Sequence, residues 1–197
     1  MQQTNSVVVK ILALIALLLL SGCYKKEQWK EEVLLNTGET ISLTRQIKFV
    51  LASGYDNPLK FSYRAGSWEK TTFKWANKTY IYDGSAGFQI LAISPRQQPV
   101  LLRVVHRSDV SEGHKCSTPS YIAFEYMEAN SNWTTLEKIE PWLYLLPSNL
   151  LMDLAELNNL KSSYTQREKE EVQLFLRDPR NKSLKMVDPN YAGENCK

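Results

Sequence analysis

Histidine, cysteine, glycine and proline are all scarce in this chain of 197 residues, which holds 2 His, 3 Cys, 8 Gly and 8 Pro. So few cysteines exclude a disulfide-stapled miniprotein, and so little glycine and proline excludes a collagen-like or low-complexity chain. Two histidines leave little material for a zinc site, which takes four ligands at paired short spacings. Charge of one sign is missing as well. The 24 basic and 21 acidic side chains leave +3, too balanced to point to nucleic acid as a partner. Only one long apolar run exists, at the N-terminus, so a polytopic membrane protein is excluded. What is there, 43% hydrophobic and 23% charged residues, exceeds what a disordered chain carries and can bury a core.

The apolar run is Ile11 to Leu20, preceded by Lys10 and followed by Ser21, Gly22 and Cys23. It is shorter than the ~20 residues of a membrane-spanning helix. A positive charge, a short apolar stretch and small residues at its end have the layout of a secretory signal peptide. Two other readings of these residues are an ordinary signal peptide whose cysteine is incidental and an uncleaved anchor helix.

Leu20-Ser21-Gly22-Cys23 resembles the lipobox of bacterial lipoproteins. The resemblance implies that residues 1–22 are cleaved and that Cys23 becomes the first residue and the lipidation site, acylated with palmitate-like chains. Several acyl chains on one residue hold firmly where a single chain binds only marginally. The implied home is the bacterial cell envelope, with the lipid bilayer as partner. Tyr24 stands where an aspartate would resemble an inner-membrane retention signal, so the outer membrane is expected in a Gram-negative host. Trp29-Lys30-Glu31-Glu32-Val33-Leu34-Leu35, followed by Gly38 and Ile41, is also similar to the opening of a group of small envelope lipoproteins. That likeness brings no activity with it.

Cys116 and Cys196 then remain as a pair, and in an oxidising compartment such as the periplasm the simplest outcome is one disulfide. It would close a loop of ~81 residues, worth ~4.5 kcal/mol in chain entropy. Free thiols, or a metal held by His106, His114 and Cys116, are the alternatives.

Beyond Cys23, residues 24–30 are mostly charged and read as a tether, with one β-rich domain over 31–197. Ile41, Leu43, Ile47, Phe49 and Leu51 alternate with polar residues, interrupted by Arg45, and predict a strand hairpinned to Val33–Leu35 through Asn36–Glu39. Further strands are expected at 59–63, 68–75, 79–82, 88–93, 100–105 and 122–126, with turns at Asn77-Lys78 and Asp83-Gly84. The nearly continuous apolar run Val100–Val105 suggests a strand covered on both faces. Trp142–Leu146, between two prolines, reads as buried. Two helices follow: one near 148–160, capped by Ser148 or Asn149 with Leu150, Leu154, Leu157 and Leu160 in register, and one near 165–177. The second opens on a Thr165–Glu168 capping box and has Val172, Phe175 and Leu176 as its core stripe. The expected fold is mainly β (α+β): an antiparallel meander, sandwich or partly open barrel followed by a C-terminal helical hairpin.

For chemistry, the sequence offers little. No nucleophile elbow, P-loop or dinucleotide fingerprint occurs, and no catalytic residue, metal or cofactor is expected. His106 and His114, with Asp109 or Glu112, mark the one loop where a hydrolase acting on envelope polymers would be sought. The run Arg167–Glu171 reads as a solvated helix face. Trp68, Phe73, Trp75, Tyr80 and Tyr82, with Phe88, are either cross-strand core pairs or an exposed aromatic surface for a glycan or envelope protein partner. A non-enzymatic binding or accessory role is expected, with the hydrolase or a carrier of a small apolar ligand as alternatives.

Overall fold

The computed structural model describes residues 24–53, 61–105, 109–110, 118–152, 160–173 and 178–193. Alternating apolar residues build two antiparallel meanders. The first joins β1 (Tyr24–Leu34), β2 (Thr40–Ser53), β3 (Phe61–Trp75) and β4 (Lys78–Ser85), and a two-residue strand, β9 (Ser163–Tyr164), lies parallel to β1. The second joins β5 (Ile90–Ile93), β6 (Pro99–Val104), β7 (Tyr121–Met127) and β8 (Asn132–Thr135). The sheet orders are β4-β3-β2-β1-β9 and β5-β6-β7-β8. The sheets stack face to face as a sandwich, with Val33, Leu43, Phe73 and Tyr80 of one against Leu91, Ile93, Leu101 and Tyr126 of the other.

Both sides of the sandwich are laced by side chains. The outer edge of β5 would leave backbone groups open to another strand, but two asparagines occupy it. Asn36, in the β1–β2 turn, donates to the Ile93 carbonyl at 2.9 Å and accepts from its amide at 2.7 Å. Asn149 does the same for Leu91 at 2.8 and 2.9 Å and also donates to the Leu34 carbonyl. On the opposite side the Trp133 indole of β8 donates to the Ile81 carbonyl of β4 at 2.7 Å.

The apolar run in β6 is covered on both faces, as expected. Leu101 faces the first sheet, while Val100 and Leu102 pack under a third layer built from residues beyond 136, including Leu143 and Val187. That layer is mostly extended chain, and the C-terminal helices are shorter than expected. Helix α1 (Gln166–Val172) opens on the predicted capping box, and α2 (Lys182–Lys185) is a single turn. Residues 148–152 are not helical, because the Asn149 and Leu150 amides bond to the Gln89 carbonyl at 3.1 Å and hold this stretch against β5. Residues 153–159 and 174–177, with Phe175 and Leu176, lie outside the described residues.

Several expectations are corrected. Residues 24–30 are no tether: they form the first part of β1, with Tyr24 opposite Val50 and Trp29 opposite Arg45. Asp83-Gly84 is no turn. It lies within β4, where a Cβ on Gly84 would come within 2.7 Å of the Tyr82 hydroxyl, so the glycine makes room for that ring. The β3–β4 turn uses Ala76 and Asn77, both at positive φ, one residue earlier than expected, as a primed two-residue hairpin turn requires. In the 142–146 run, Leu143 is buried but Leu145 is 64% exposed. Strand β8 was not anticipated, because Asn132-Trp133-Thr134-Thr135 carries no apolar alternation.

Candidate functional site

Four of the five aromatic residues considered for a binding surface are inside the sandwich. Phe73 and Trp75 of β3 and Tyr80 and Tyr82 of β4 are all buried. Phe73 sits opposite both Leu43 and Tyr80 in the sheet, so its parity is that of the core face. Phe73 and Tyr80 stack at 5.3 Å, Tyr80 meets Tyr126 edge-on at 5.0 Å, and Tyr82 meets Phe88 edge-on at 4.8 Å. Such pairs add ~0.5–1.5 kcal/mol each beyond the area they bury. These rings tie one sheet to the other and form no exposed platform. Trp68 alone takes the opposite parity and lies half-buried on the outer face of the first sheet.

The same inner face carries charge. Glu31 of β1, Arg45 of β2 and Glu69 of β3 form a row across three adjacent strands, and Lys169 of α1 reaches down to it. All four side chains are at most 1% exposed. Arg45 donates to both oxygens of Glu69 at 2.7 and 3.0 Å, to Glu31 at 3.1 Å and to the Leu151 carbonyl at 2.6 Å. Its guanidinium lies 5.2 Å from the centroid of the Trp29 ring. Lys169 pairs with Glu31 at 3.3 Å and donates to the Asn149 carbonyl. Glu31 also accepts from the Leu151 amide at 2.8 Å, and Glu69 from the Thr71 hydroxyl at 2.7 Å and the Gly87 amide at 3.2 Å.

Two cations and two anions make the cluster formally neutral, and both carboxylates meet their remaining hydrogen-bonding capacity through protein donors. Burial alone would lower the Arg45 pKa, but Glu69 and Glu31 outweigh it and hold the guanidinium above its ordinary value. For Lys169 burial wins, only partly offset by Glu31, and its pKa falls below the usual lysine value. The cluster therefore clamps α1 and the 149–151 segment onto the first sheet. Sequence reading missed it: Arg45 stood as an interruption and Lys169 as part of a solvated face. A signal was there, because Trp29-x-Glu31-x-Val33, Leu43-x-Arg45-x-Ile47 and Glu69-x-Thr71-x-Phe73 place all three strand charges on the apolar parity. Val172, expected in the core stripe of the helix, is 42% exposed, and Lys169 takes the inward position.

Of the loop considered for acid–base chemistry, His106, Glu112 and His114 lie outside the described residues, as do Cys23, Cys116 and Cys196. Asp109 is described and buried, and its two oxygens accept from Arg103 at 2.6 Å each. That bidentate pair ties Asp109 to β6. A hollow of about 90 Å³ beside Leu34, Ala92 and Leu146 is far below the ~300 Å³ at which small-molecule pockets begin. Among the described residues no group of His, Cys, Asp and Glu side chains is placed to hold a metal ion.

Comparison with protein-family models, with curated proteins and with solved structures found no match to this chain.

Proposed function

We propose that this chain is a lipid-anchored protein of the bacterial cell envelope, held through Cys23 and serving a non-enzymatic binding or accessory role. The observation that carries the reading is the junction at residue 23. An apolar run closes on Leu20-Ser21-Gly22-Cys23, and the first strand begins at the next residue, Tyr24. Cleavage before Cys23 would leave the lipid-bearing residue at the margin of a folded sheet. The interior supports a framework role for its charges, since Glu31, Arg45, Glu69 and Lys169 engage one another and nearby backbone groups. The outer membrane of a Gram-negative host remains the favoured site, with an envelope protein or glycan as partner.

Cells producing Cys23→Ser test the anchor. The expected result is either an unprocessed chain 22 residues longer than the parent or a protein released from the membrane fraction. A variant of the processed size that still fractionates with membranes overturns the reading.

The disulfide between Cys116 and Cys196 is part of the same proposal. It is supported by the chain paths that lead to both cysteines. The Ser120 amide donates to the Tyr191 carbonyl at 2.8 Å, and the Tyr121 and Tyr191 rings lie 5.6 Å apart. Each cysteine is thus only a few residues from a point where the two segments touch. Non-reducing mass spectrometry of the purified protein should find one peptide pair linked and 2 Da lighter than the reduced pair; two alkylatable thiols would exclude the bond.

A further inference from the structure

At the N-terminal end of the first sheet the outer face is exposed among the described residues, and the residues there form an unusual group. Lys26 of β1 and Lys48 of β2 stand directly opposite each other. Like charges at directly opposed positions destabilise a sheet, and among the described residues neither ammonium has a carboxylate partner. Each lies over an aromatic ring instead: Lys48 is 4.4 Å from the Tyr24 centroid and Lys26 is 5.1 Å from that of Trp68. The Trp68 indole is fixed by donating to Asp83 at 2.7 Å. Tyr24 and its opposite neighbour Val50 are 50% and 40% exposed. A pair of lysines resting on a tyrosine and a tryptophan, with an exposed valine beside them, has the composition of protein surface that sits at a membrane interface.

We infer that this end of the sheet rests on the anionic phospholipid headgroups of the bilayer that holds the anchor, with Lys26 and Lys48 as the phosphate contacts. The inference rests on the anchorage reading, which places residue 23 in the bilayer. One further observation supports an end-on contact. Tyr24 begins β1, so no linker separates the headgroup layer from Lys26. Farther along the same face Lys70 stands opposite Gln46 and Lys30 opposite Thr44, and Lys74 sits at the opposite end, one residue beyond the Leu43–Phe73 pair. At ~3.4 Å per residue, the six residues from Ser42 to Lys48 put Lys74 roughly 20 Å farther from the membrane. That is more than two screening lengths at physiological salt.

Lysine acylation read by mass spectrometry tests the contact on the lipidated full-length protein. The protein is reconstituted into vesicles of phosphatidylethanolamine and phosphatidylglycerol, or of phosphatidylcholine alone, and flotation of each sample reports anchorage separately. A lysine near an anionic surface gains ~1 kcal/mol, which corresponds to about a five-fold effect. Lys26 and Lys48 should therefore label about five-fold more slowly on the anionic vesicles than on the neutral ones, while Lys74 is unchanged. Equal labelling of Lys26 and Lys48 on both vesicles, in protein that floats, overturns the contact. Protection that extends equally to Lys74 overturns the end-on geometry. Protein that fails to float refutes the anchorage reading itself.

Discussion

Replacing Arg45 by methionine tests whether the buried cluster holds the domain together. The side chain is 1% exposed and donates four hydrogen bonds of 3.1 Å or shorter: two to Glu69, one to Glu31 and one to the Leu151 carbonyl. Methionine keeps most of the volume and none of the donors. Glu69 is left buried with only the Thr71 hydroxyl and the Gly87 amide, and the cluster as a whole carries one excess negative charge. Removing one partner of a buried ion pair costs ~3–5 kcal/mol, mainly because the other charge stays buried. For a domain of this size each kcal/mol lowers Tm by ~2–4 °C, so a fall of roughly 6–20 °C is expected. Urea unfolding followed by far-UV circular dichroism gives the free energy, and Glu69→Gln in the Arg45→Met background gives the internal control. The double variant no longer buries an unpaired carboxylate and should recover at least ~1 kcal/mol. A loss below ~1 kcal/mol in the single variant, or a double variant no better than the single one, refutes the reasoning.

The other predictions concern the same framework. Burial holds Lys169 below the ordinary lysine value, so the unfolded chain binds that proton more tightly. Native stability should therefore rise as pH climbs from the depressed value towards ~10.4, the unfolded value. Lys169→Met should remove that rise in a pH series of urea unfolding, and an identical slope in parent and variant would count against the burial of this lysine. Asn149→Ala strips the Leu91 amide and two carbonyls of their partner. It should cost ~1–3 kcal/mol and accelerate hydrogen exchange at Leu91 more than at Phe73, which a uniform increase would contradict. Thr165→Ala removes the hydroxyl that caps α1 and should cost ~0.5–2 kcal/mol. Because α1 carries Lys169, it should also expose that lysine to acylation; loss of stability without new labelling would separate the cap from the clamp.

How far the sequence can be read depends on whether a residue obeys the rule of its own neighbourhood. The Ile41–Phe49 alternation, the doubly covered run in β6 and the Thr165–Glu168 box were all legible, because local pattern and tertiary environment agree there. Where they disagree, tertiary structure wins. Residues 24–30 looked like a charged tether, but they pair with β2, and Trp29 is buried beside the Arg45 guanidinium. Leu150 looked like the start of a helical stripe, yet the edge of β5 takes the Asn149 and Leu150 amides first. Asp83-Gly84 had turn chemistry, but the glycine answers to the Tyr82 ring. The aromatic cluster was legible as cross-strand pairs and not as a surface, since its alternation puts four of the five rings on the face that carries Leu43 and Val33.

The most direct measurement of the central claim is the intact mass of the protein extracted from membranes, followed by sequencing of its N-terminal peptide. Anchorage through Cys23 predicts a chain that begins at residue 23, with its first residue heavier than cysteine by a diacylglyceryl group and, where the host adds one, an amide-linked acyl chain. A chain that still begins at residue 1, or one that carries an unmodified Cys23 thiol, would contradict it.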